Sequence, residues 1–144
     1  MIYADTSCLL KVLRPEPLSG SVSSVIHEEE SVIVSVLAEL ETLVQLKAAW
    51  TGGSLTRNQW RQAEARFGIF RNQPPFEFCT LPAAVFQTAL RQNRYSGTVH
   101  CRALDRLHLA AMEELNVTRL MTHDESQAKS AIKAGFDVVR PGRD

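Results

Sequence analysis

The feature that most constrains the fold is the start of the chain, where an apolar run ends abruptly in a carboxylate and two hydroxyls. Ile2-Tyr3-Ala4 is followed by Asp5, Thr6 and Ser7, and then by the apolar segment Cys8-Leu9-Leu10. This pattern predicts a short buried strand that ends at Asp5, with Thr6 or Ser7 capping a helix. Asp5 is therefore either a turn or cap residue, or a site residue, since ligands bind outside the carboxyl ends of strands in open α/β sheets.

Strands and helices alternate along the rest of the chain. Further strands are predicted at 32–35, 76–81, 117–122 and 136–139. Helices are predicted at 8–13, 19–28, 36–50, 57–71, 83–92, 101–115 and 127–134. This order implies an α/β fold with three layers, α/β/α, around a mainly parallel central sheet. Because no repeat or linker interrupts the pattern, we expect one domain over residues 1–144.

Composition excludes several classes of protein. Hydrophobic residues make up 44% of the chain and charged residues 22%, which are globular rather than disordered or fibrous values. No apolar run approaches the length of a membrane span, and the N-terminus lacks the features of a secretory signal, so we expect a cytoplasmic protein. Three widely spaced cysteines, Cys8, Cys79 and Cys101, argue against a disulfide framework and against a structural zinc site.

The net charge is zero, but the charges are unevenly distributed. The acids of residues 57–102 are Glu64 and Glu77 alone, whereas the cations of this segment are all arginines, namely Arg57, Arg61, Arg66, Arg71, Arg91, Arg94 and Arg102. Arginine suits bidentate phosphate contacts, so a polyanionic partner is one interpretation. An ordinary solvated helix face is the other.

Three further acids occupy positions comparable to that of Asp5. Asp124 follows a predicted strand, while Glu41 and Asp105 each lie beside a helical apolar stripe that we expect to be buried. These stripes are Leu37, Leu40, Val44 and Ala48 for the first helix, and Leu104, Leu107, Ala111 and Leu115 for the second. Carboxylates that converge on one end of a sheet repel one another unless a cation neutralises them. Mg²⁺ and Mn²⁺ prefer such hard oxygen ligands, and these ions can promote phosphodiester hydrolysis.

Four short segments around these acids share a pattern with a known family. They are Ala4-Asp5-Thr6-Ser7, Val34-Ser35 with Glu41 six residues after the serine, Arg102-Ala103-Leu104-Asp105-Arg106-Leu107-His108-Leu109-Ala110, and Leu120-Met121-Thr122-His123-Asp124. Together they resemble the signature regions of PIN-domain ribonucleases, and in particular those of the VapC-type toxins of bacterial toxin–antitoxin pairs. The resemblance covers nearly the whole chain in order.

The resemblance implies a PIN-like α/β/α fold and endoribonuclease activity that depends on Mg²⁺ or Mn²⁺. By position, Asp5, Glu41, Asp105 and Asp124 are the expected catalytic acids, and Asp5, Asp105 and Asp124 are the expected metal ligands. Glu41 is preferred to Glu39 because the family places this acid deeper in the helix.

The resemblance also bears on the neighbouring residues and on partners. Thr6, Ser7 or Thr122 would hold the carboxylates by hydrogen bonds, whereas His108 and His123 are expected to pack or hydrogen-bond rather than to ligate metal. The implied partners are an RNA substrate, a small antitoxin protein and a second copy of the chain in a homodimer.

Two other functions stay open at this point. One is a domain of the same fold that binds RNA or a protein partner without turnover. The other is a phosphohydrolase that forms an aspartyl-phosphate, although that chemistry usually needs a second acid two residues after the nucleophile, where Ser7 stands. A P-loop or dinucleotide enzyme is excluded because neither glycine fingerprint is present.

Overall fold

A computed structural model describes residues 1–143 and contains five strands and seven helices in that range. The strands are β1 (Ile2–Ala4), β2 (Val32–Ser35), β3 (Phe76–Cys79), β4 (Arg119–Met121) and β5 (Asp137–Val139). The helices are α1 (Thr6–Leu13), α2 (Ser19–Glu28), α3 (Val36–Thr51), α4 (Arg57–Phe70), α5 (Val85–Tyr95), α6 (Ala103–Glu114) and α7 (Glu125–Lys133). The predicted α/β fold is confirmed.

All strand pairs are parallel, and the strand order is β3-β2-β1-β4-β5. Tyr3 in the central strand lies opposite Ile33 of β2 and Leu120 of β4. The chain therefore builds outward from β1 on one side through β2 and β3, and on the other side through β4 and β5. The reversal of strand order at β1 creates a crevice at the carboxyl ends of β1 and β4, where α/β proteins commonly bind ligands.

Alternate residues of the short strands enter two separate cores, as the two-residue period of a strand requires. Ile2 and Ala4 pack with α1, α2, α3 and α4, whereas Tyr3 packs with α5, α6 and α7. Met121 and Leu120 divide in the same way. Helices thus cover both faces of the sheet, which confirms the three layers.

The predicted buried stripe of α3 is wrong. Leu40 and Val44 are 59% and 57% exposed, while the buried residues of this helix are Ala38, Thr42 and Leu46. The predicted residues and the residues that are actually buried both follow helical spacing, so the spacing alone does not predict which set faces the core. The row of small and medium side chains faces the core, and the Leu40 row is left on the surface.

The second predicted stripe is only partly right, because α6 turns a different set of residues inward. Ala111 is buried, but Leu104 is half exposed. The buried residues of α6 are Arg106, His108, Leu109, Ala110, Ala111 and Met112. Two of these are polar, and both prove important for the sites described below.

The cysteines are free thiols, as the sequence predicts. Cys8 is fully buried, and burial raises the pKa of its thiol to about 12, so this thiol stays protonated. No helix within residues 1–143 combines the length and the apolar character needed to cross a lipid bilayer.

Candidate active site

A cavity of about 410 Å³ lies at the carboxyl end of the sheet, beside the central strand. Its walls come from the start of α1, from α3, from the start of α6 and from the residue before α7. The lining residues are Asp5, Thr6, Ser7, Glu41, Gln45, Arg102, Ala103, Leu104, Asp105 and Asp124. The fold therefore brings all four predicted acids to one cavity, although they are up to 119 positions apart, from 5 to 124, in the sequence.

Asp5 is held by two hydroxyl groups. Its Oδ2 accepts hydrogen bonds from Thr122 Oγ1 at 2.7 Å and from Ser7 Oγ at 2.8 Å. Each hydroxyl oxygen also accepts a backbone N–H, from Asp124 to Thr122 and from His123 to Ser7, both at 3.0 Å. Because these backbone groups can only donate, both hydroxyl protons are directed at the carboxylate. Asp5 is thereby fixed in a nearly buried position without a neighbouring cation.

Glu41 is held by a buried chain of hydrogen bonds that begins on β1. Its Oε1 is bonded to His108 Nε2, and the opposite nitrogen, Nδ1, lies 2.7 Å from the hydroxyl of Tyr3. That hydroxyl lies 2.5 Å from Ser35 Oγ, which in turn accepts the backbone N–H of Ala38 at 3.2 Å. Tyr3 and His108 are almost completely buried, so the chain runs through the core to the rim of the cavity.

The direction of these hydrogen bonds follows from the groups involved. Burial raises the pKa of Tyr3 well above its ordinary value, so the phenol keeps its proton and can donate it. When Nδ1 of His108 accepts this proton, Nε2 carries the ring hydrogen and donates it to Glu41. Each group in the chain then has a partner, and the carboxylate of Glu41 is oriented from behind.

Asp105 and Asp124 are held differently, because they share one arginine. Arg102 Nε donates to Asp105 Oδ2 at 2.7 Å, and its Nη2 donates to Asp124 Oδ2 at 3.1 Å. The Arg102 side chain is 63% exposed. The hydrogen bond and charge of Asp105, followed by the charge of Asp124, raise the pKa of the guanidinium above its usual value. Asp124 also accepts the backbone N–H of Gln127 and so caps α7.

The oxygen chemistry of the cavity fits a divalent cation, but the carboxylates are not assembled for one. Within residues 1–143, no three His, Cys, Asp or Glu side chains form a group that could hold a metal ion as they stand. Oδ1 of Asp5 and Oδ1 of Asp105 accept no hydrogen bond from these residues and are not fully enclosed. Such free carboxylate oxygens suit Mg²⁺ or Mn²⁺. Arg102 bonds Oδ2 of both Asp105 and Asp124 and therefore competes with an ion for these two carboxylates.

Of the other residues named from the sequence, some lie at this cavity and some do not. Glu39 does not line it and is instead paired with Arg71. Thr6 lines the cavity, but its enclosed hydroxyl has no partner within residues 1–143. His123 is not among the lining residues, and its Nε2 bonds the carbonyl of Pro141 at 2.7 Å. Burial lowers the pKa of His123, which favours the neutral ring.

Sequence reasoning missed the roles of Arg102 and Tyr3. The three-residue spacing between Arg102 and Asp105 is a signal for the first, because residues at this spacing are neighbours on a helix. For the second, Tyr3 lies two residues before Asp5 on a strand that ends at Ala4, but nothing in the sequence pairs it with His108, 105 residues away.

Comparison with known families and structures agrees with the fold. The family model described as PIN domain matches residues 2–133. The comparison with curated proteins gave no match.

Several solved structures share the fold. Mycobacterium tuberculosis VapC20, described as a sarcin-ricin loop cleaving toxin, is 19% identical with a TM-score of 0.73, and the match covers 98% of this chain and 100% of that one. FitAcB from Neisseria gonorrhoeae is 19% identical with a TM-score of 0.72, covering 98% of both chains. VapBC2 from Rickettsia felis, bound to a DNA fragment from its promoter, is 14% identical with a TM-score of 0.70, covering 96% and 98%.

Proposed function

The chain belongs to the PIN-domain family, and on this premise we propose that it is a divalent-metal-dependent endoribonuclease that hydrolyses RNA phosphodiesters. The observation that supports this most strongly is the convergence of Asp5, Glu41, Asp105 and Asp124 on one cavity at the reversal of strand order. These four side chains are the proposed catalytic residues. We expect the protein to act in the cytoplasm.

Asp5, Asp105 and Asp124 are the proposed ligands of Mg²⁺ or Mn²⁺. An ion held there would supply an activated water and would offset charge on the phosphodiester. Ser7 and Thr122 keep Asp5 in one orientation, and this reduces the reorganisation that ligand binding requires. Asp5 and Glu41 share no hydrogen-bonding partner, so these two acids can be tested independently of each other.

Glu41 is the proposed acid that positions the attacking water or accepts its proton. Its carboxylate reaches the cavity, while the bond to His108 fixes it from the buried side. A general base needs this kind of fixed geometry within reach of the proton that it removes. His108 and Tyr3 are therefore positioning residues, which act on the reaction through Glu41.

We also propose that the chain is the toxin of a type II toxin–antitoxin pair. The similarity of the fold to VapC20, which is described as a toxin, supports this proposal. Two cavities of about 340 Å³ each lie along α1, α2 and α4 and share Arg66. Together they offer a groove for a segment of a small antitoxin protein.

A homodimer is the proposed assembly, and exposed apolar side chains support it. Val36, Leu40 and Val44 form one exposed row on α3, and Phe86 and Leu90 are exposed on α5. Large apolar side chains gathered on a surface commonly mark a protein interface.

One observation favours the alternative of a PIN domain that binds RNA or a partner without turnover. Arg102 already neutralises two of the four acids, as a cation would in a site that has no need of metal. This alternative predicts RNA binding that is unaffected by EDTA and no new RNA ends.

The Asp5→Asn variant tests the proposed function. Asparagine keeps the size of the side chain but removes its negative charge, so we expect metal-dependent cleavage to be abolished while the domain stays folded. The measurement is sequencing of RNA ends after a brief pulse of expression, together with cleavage in vitro with Mg²⁺ and with EDTA. Cleavage retained in a cleanly purified Asp5→Asn protein would exclude the assignment. The matched control is Asp137→Asn, an exposed aspartate at the edge of the sheet, which should cleave normally.

A further inference from the structure

Another cavity, of about 230 Å³, lies between α5, α6 and α7, and none of the four proposed catalytic acids lines it. We call it the Arg106 cavity. The residues that matter for its chemistry are Arg91, Gln92 and Tyr95 of α5, Arg106 of α6, and Ser130 and Lys133 of α7. Three of these are cations, which makes the cavity a candidate for an anionic ligand.

Arg106 is a nearly buried cation that has no protein counterion. The residue is only 5% exposed, yet its guanidinium makes no ion pair and no hydrogen bond with any of residues 1–143. Arginine is seldom buried to this extent unless it is paired, because removing its charge from water is costly. Nε is completely enclosed without a partner, whereas the terminal nitrogens are not. The guanidinium thus keeps free donors toward the cavity that Arg106 lines.

The other charges of the Arg106 cavity leave it positive. Lys133 is exposed and has no ion pair within residues 1–143. One carboxylate, Glu113, lines the cavity, but Arg91 binds its Oε1 and the amide of Gln92 donates to its Oε2 at 2.7 Å. Glu113 is therefore unavailable to Arg106 and Lys133, whose charges remain uncompensated.

Gln92 adds an acceptor to these donors. Its Nε2 donates to Glu113 Oε2 and to the carbonyl of Leu109 at 3.3 Å, and because both partners are acceptors the orientation of the amide is fixed. Its Oε1 is enclosed and has no partner within residues 1–143. The ring of Tyr95, 75% exposed, stands at the same cavity and can stack on a planar group.

We propose that the Arg106 cavity binds the phosphate group of a nucleotide or of an RNA strand, with Arg106 and Lys133 as the principal phosphate contacts. A guanidinium fork and an ammonium are the donors that proteins use for phosphate. Tyr95 lies where a base attached to that phosphate can stack. This inference goes beyond the proposed cleavage, because binding here involves none of the catalytic acids.

A further cavity lies along α5 and α6, beside both sites. It shares Ala103 with the cavity of the four acids and Arg106 with the Arg106 cavity. The first turns of α6 therefore border all three, and Asp105 and Arg106 are consecutive residues. The two sites therefore lie next to each other on α6.

The test is thermal stabilisation of the full chain by three probes in EDTA-containing buffer, where metal-dependent cleavage does not interfere. The probes are inorganic phosphate, adenosine 5′-monophosphate and a short single-stranded oligoribonucleotide, with adenosine as the phosphate-free control. We expect the three probes to raise the melting temperature and adenosine to leave it unchanged. Tighter binding of the nucleotide or the oligonucleotide than of inorganic phosphate would show that the cavity recognises a phosphate attached to a nucleotide. Equal binding of all three probes would show that it recognises the phosphate group alone.

Variants of the lining residues test whether the probes bind in the Arg106 cavity. Arg106→Gln should weaken the apparent affinity for phosphate by about tenfold or more, since it removes a charged hydrogen-bonding partner. It should not lower the stability of the phosphate-free protein, because it also removes an unpaired buried charge. Arg94→Gln, an exposed arginine on α5 outside the cavity, is the matched control and should bind normally.

Lys133→Gln keeps the test decisive if Arg106→Gln fails to fold, because Lys133 is exposed and its replacement leaves the core intact. Weaker phosphate binding by Lys133→Gln than by Arg94→Gln supports the proposal. Absence of stabilisation in the native chain, or equal stabilisation in the cavity variants and in Arg94→Gln, overturns it. These results do not depend on cleavage, so a failure here is distinguishable from a failure of the proposed ribonuclease activity.

Discussion

The four acids of the candidate active site fall into two pairs that are held by opposite means. Asp5 and Glu41 are bound by side chains on their buried side, namely the hydroxyls of Ser7 and Thr122 and the ring of His108. Thr122 and His108 are at most 1% exposed. Asp105 and Asp124 share a charged side chain, Arg102, which is mostly in solvent, and Asp124 is also bonded to the backbone N–H of Gln127.

This difference indicates which carboxylates of the site are fixed by folding and which can change their partners. Buried hydrogen bonds are costly to break, because a buried donor or acceptor that loses its partner cannot form a hydrogen bond with water instead. An exposed ion pair contributes little to stability and exchanges readily with other ions. We infer that the Asp5 and Glu41 pair is fixed by folding, and that the Asp105 and Asp124 pair is completed when Arg102 gives way to another cation.

The largest effect on stability is expected for Thr122→Val, which tests the fixed pair. Valine has nearly the shape of threonine, but it leaves the carboxylate of Asp5 without one donor and the N–H of Asp124 without its acceptor. We expect the free energy of unfolding to fall by about 3 kcal/mol. Urea denaturation measures the change.

The control for this prediction is Thr98→Val, at an exposed position in the loop before α6. It removes a hydroxyl that has no hydrogen-bonding partner within residues 1–143, so its unfolding curve should match that of the native chain. If the free energy of unfolding falls no more in Thr122→Val than in Thr98→Val, Asp5 is not held by Thr122. The contrast between the two pairs of acids would then disappear.

A smaller loss is expected for Tyr3→Phe, which tests the chain of hydrogen bonds behind Glu41. The variant removes the hydroxyl between Ser35 and His108, so the free energy of unfolding should fall by roughly 1–2 kcal/mol. Tyr3 does not line the active-site cavity, so we expect it to affect the cleavage rate through His108 and Glu41. We expect a lower kcat with little change in KM for RNA.

A double-mutant cycle with His108→Phe gives the control for Tyr3→Phe. If the two residues are coupled, Tyr3→Phe should cost less in the His108→Phe background than in the native chain. Equal costs in both backgrounds would show that the hydroxyl and the ring act independently, which contradicts the buried chain of hydrogen bonds.

What the sequence predicts well and what it misses differ in a physical way. The order of strands and helices and the placement of Asp5 and Asp124 after strands follow from short segments, so local patterns suffice for them. The contacts within the site cannot be predicted from short segments, because Tyr3 contacts His108 only after β1 and α6 pack together. The orientation of α3 was mispredicted for the same reason.

The strand ends show a further limit of local patterns. The sequence predicts β3 through residue 81, but it ends at Cys79, opposite Ser35, the last residue of its partner β2. A strand continues only where a neighbour offers hydrogen bonds, and Ser35 is already the cap of α3. Pairing therefore determines the length of β3, although its own sequence is compatible with a longer strand.

The smallest effect on stability is expected for Arg102→Gln, which tests the exchangeable pair. Its side chain is mostly in solvent, so its loss should leave the urea unfolding curve nearly unchanged. The same change removes the cation that competes for Asp105 and Asp124, and magnesium affinity should therefore increase severalfold by isothermal titration calorimetry. Arg57→Gln, an exposed arginine at the start of α4, should bind magnesium like the native chain. Weaker magnesium binding in Arg102→Gln would mean that the arginine arranges Asp105 and Asp124 for the ion instead of competing with it. The positions of these two carboxylates would then be fixed by folding, like those of Asp5 and Glu41.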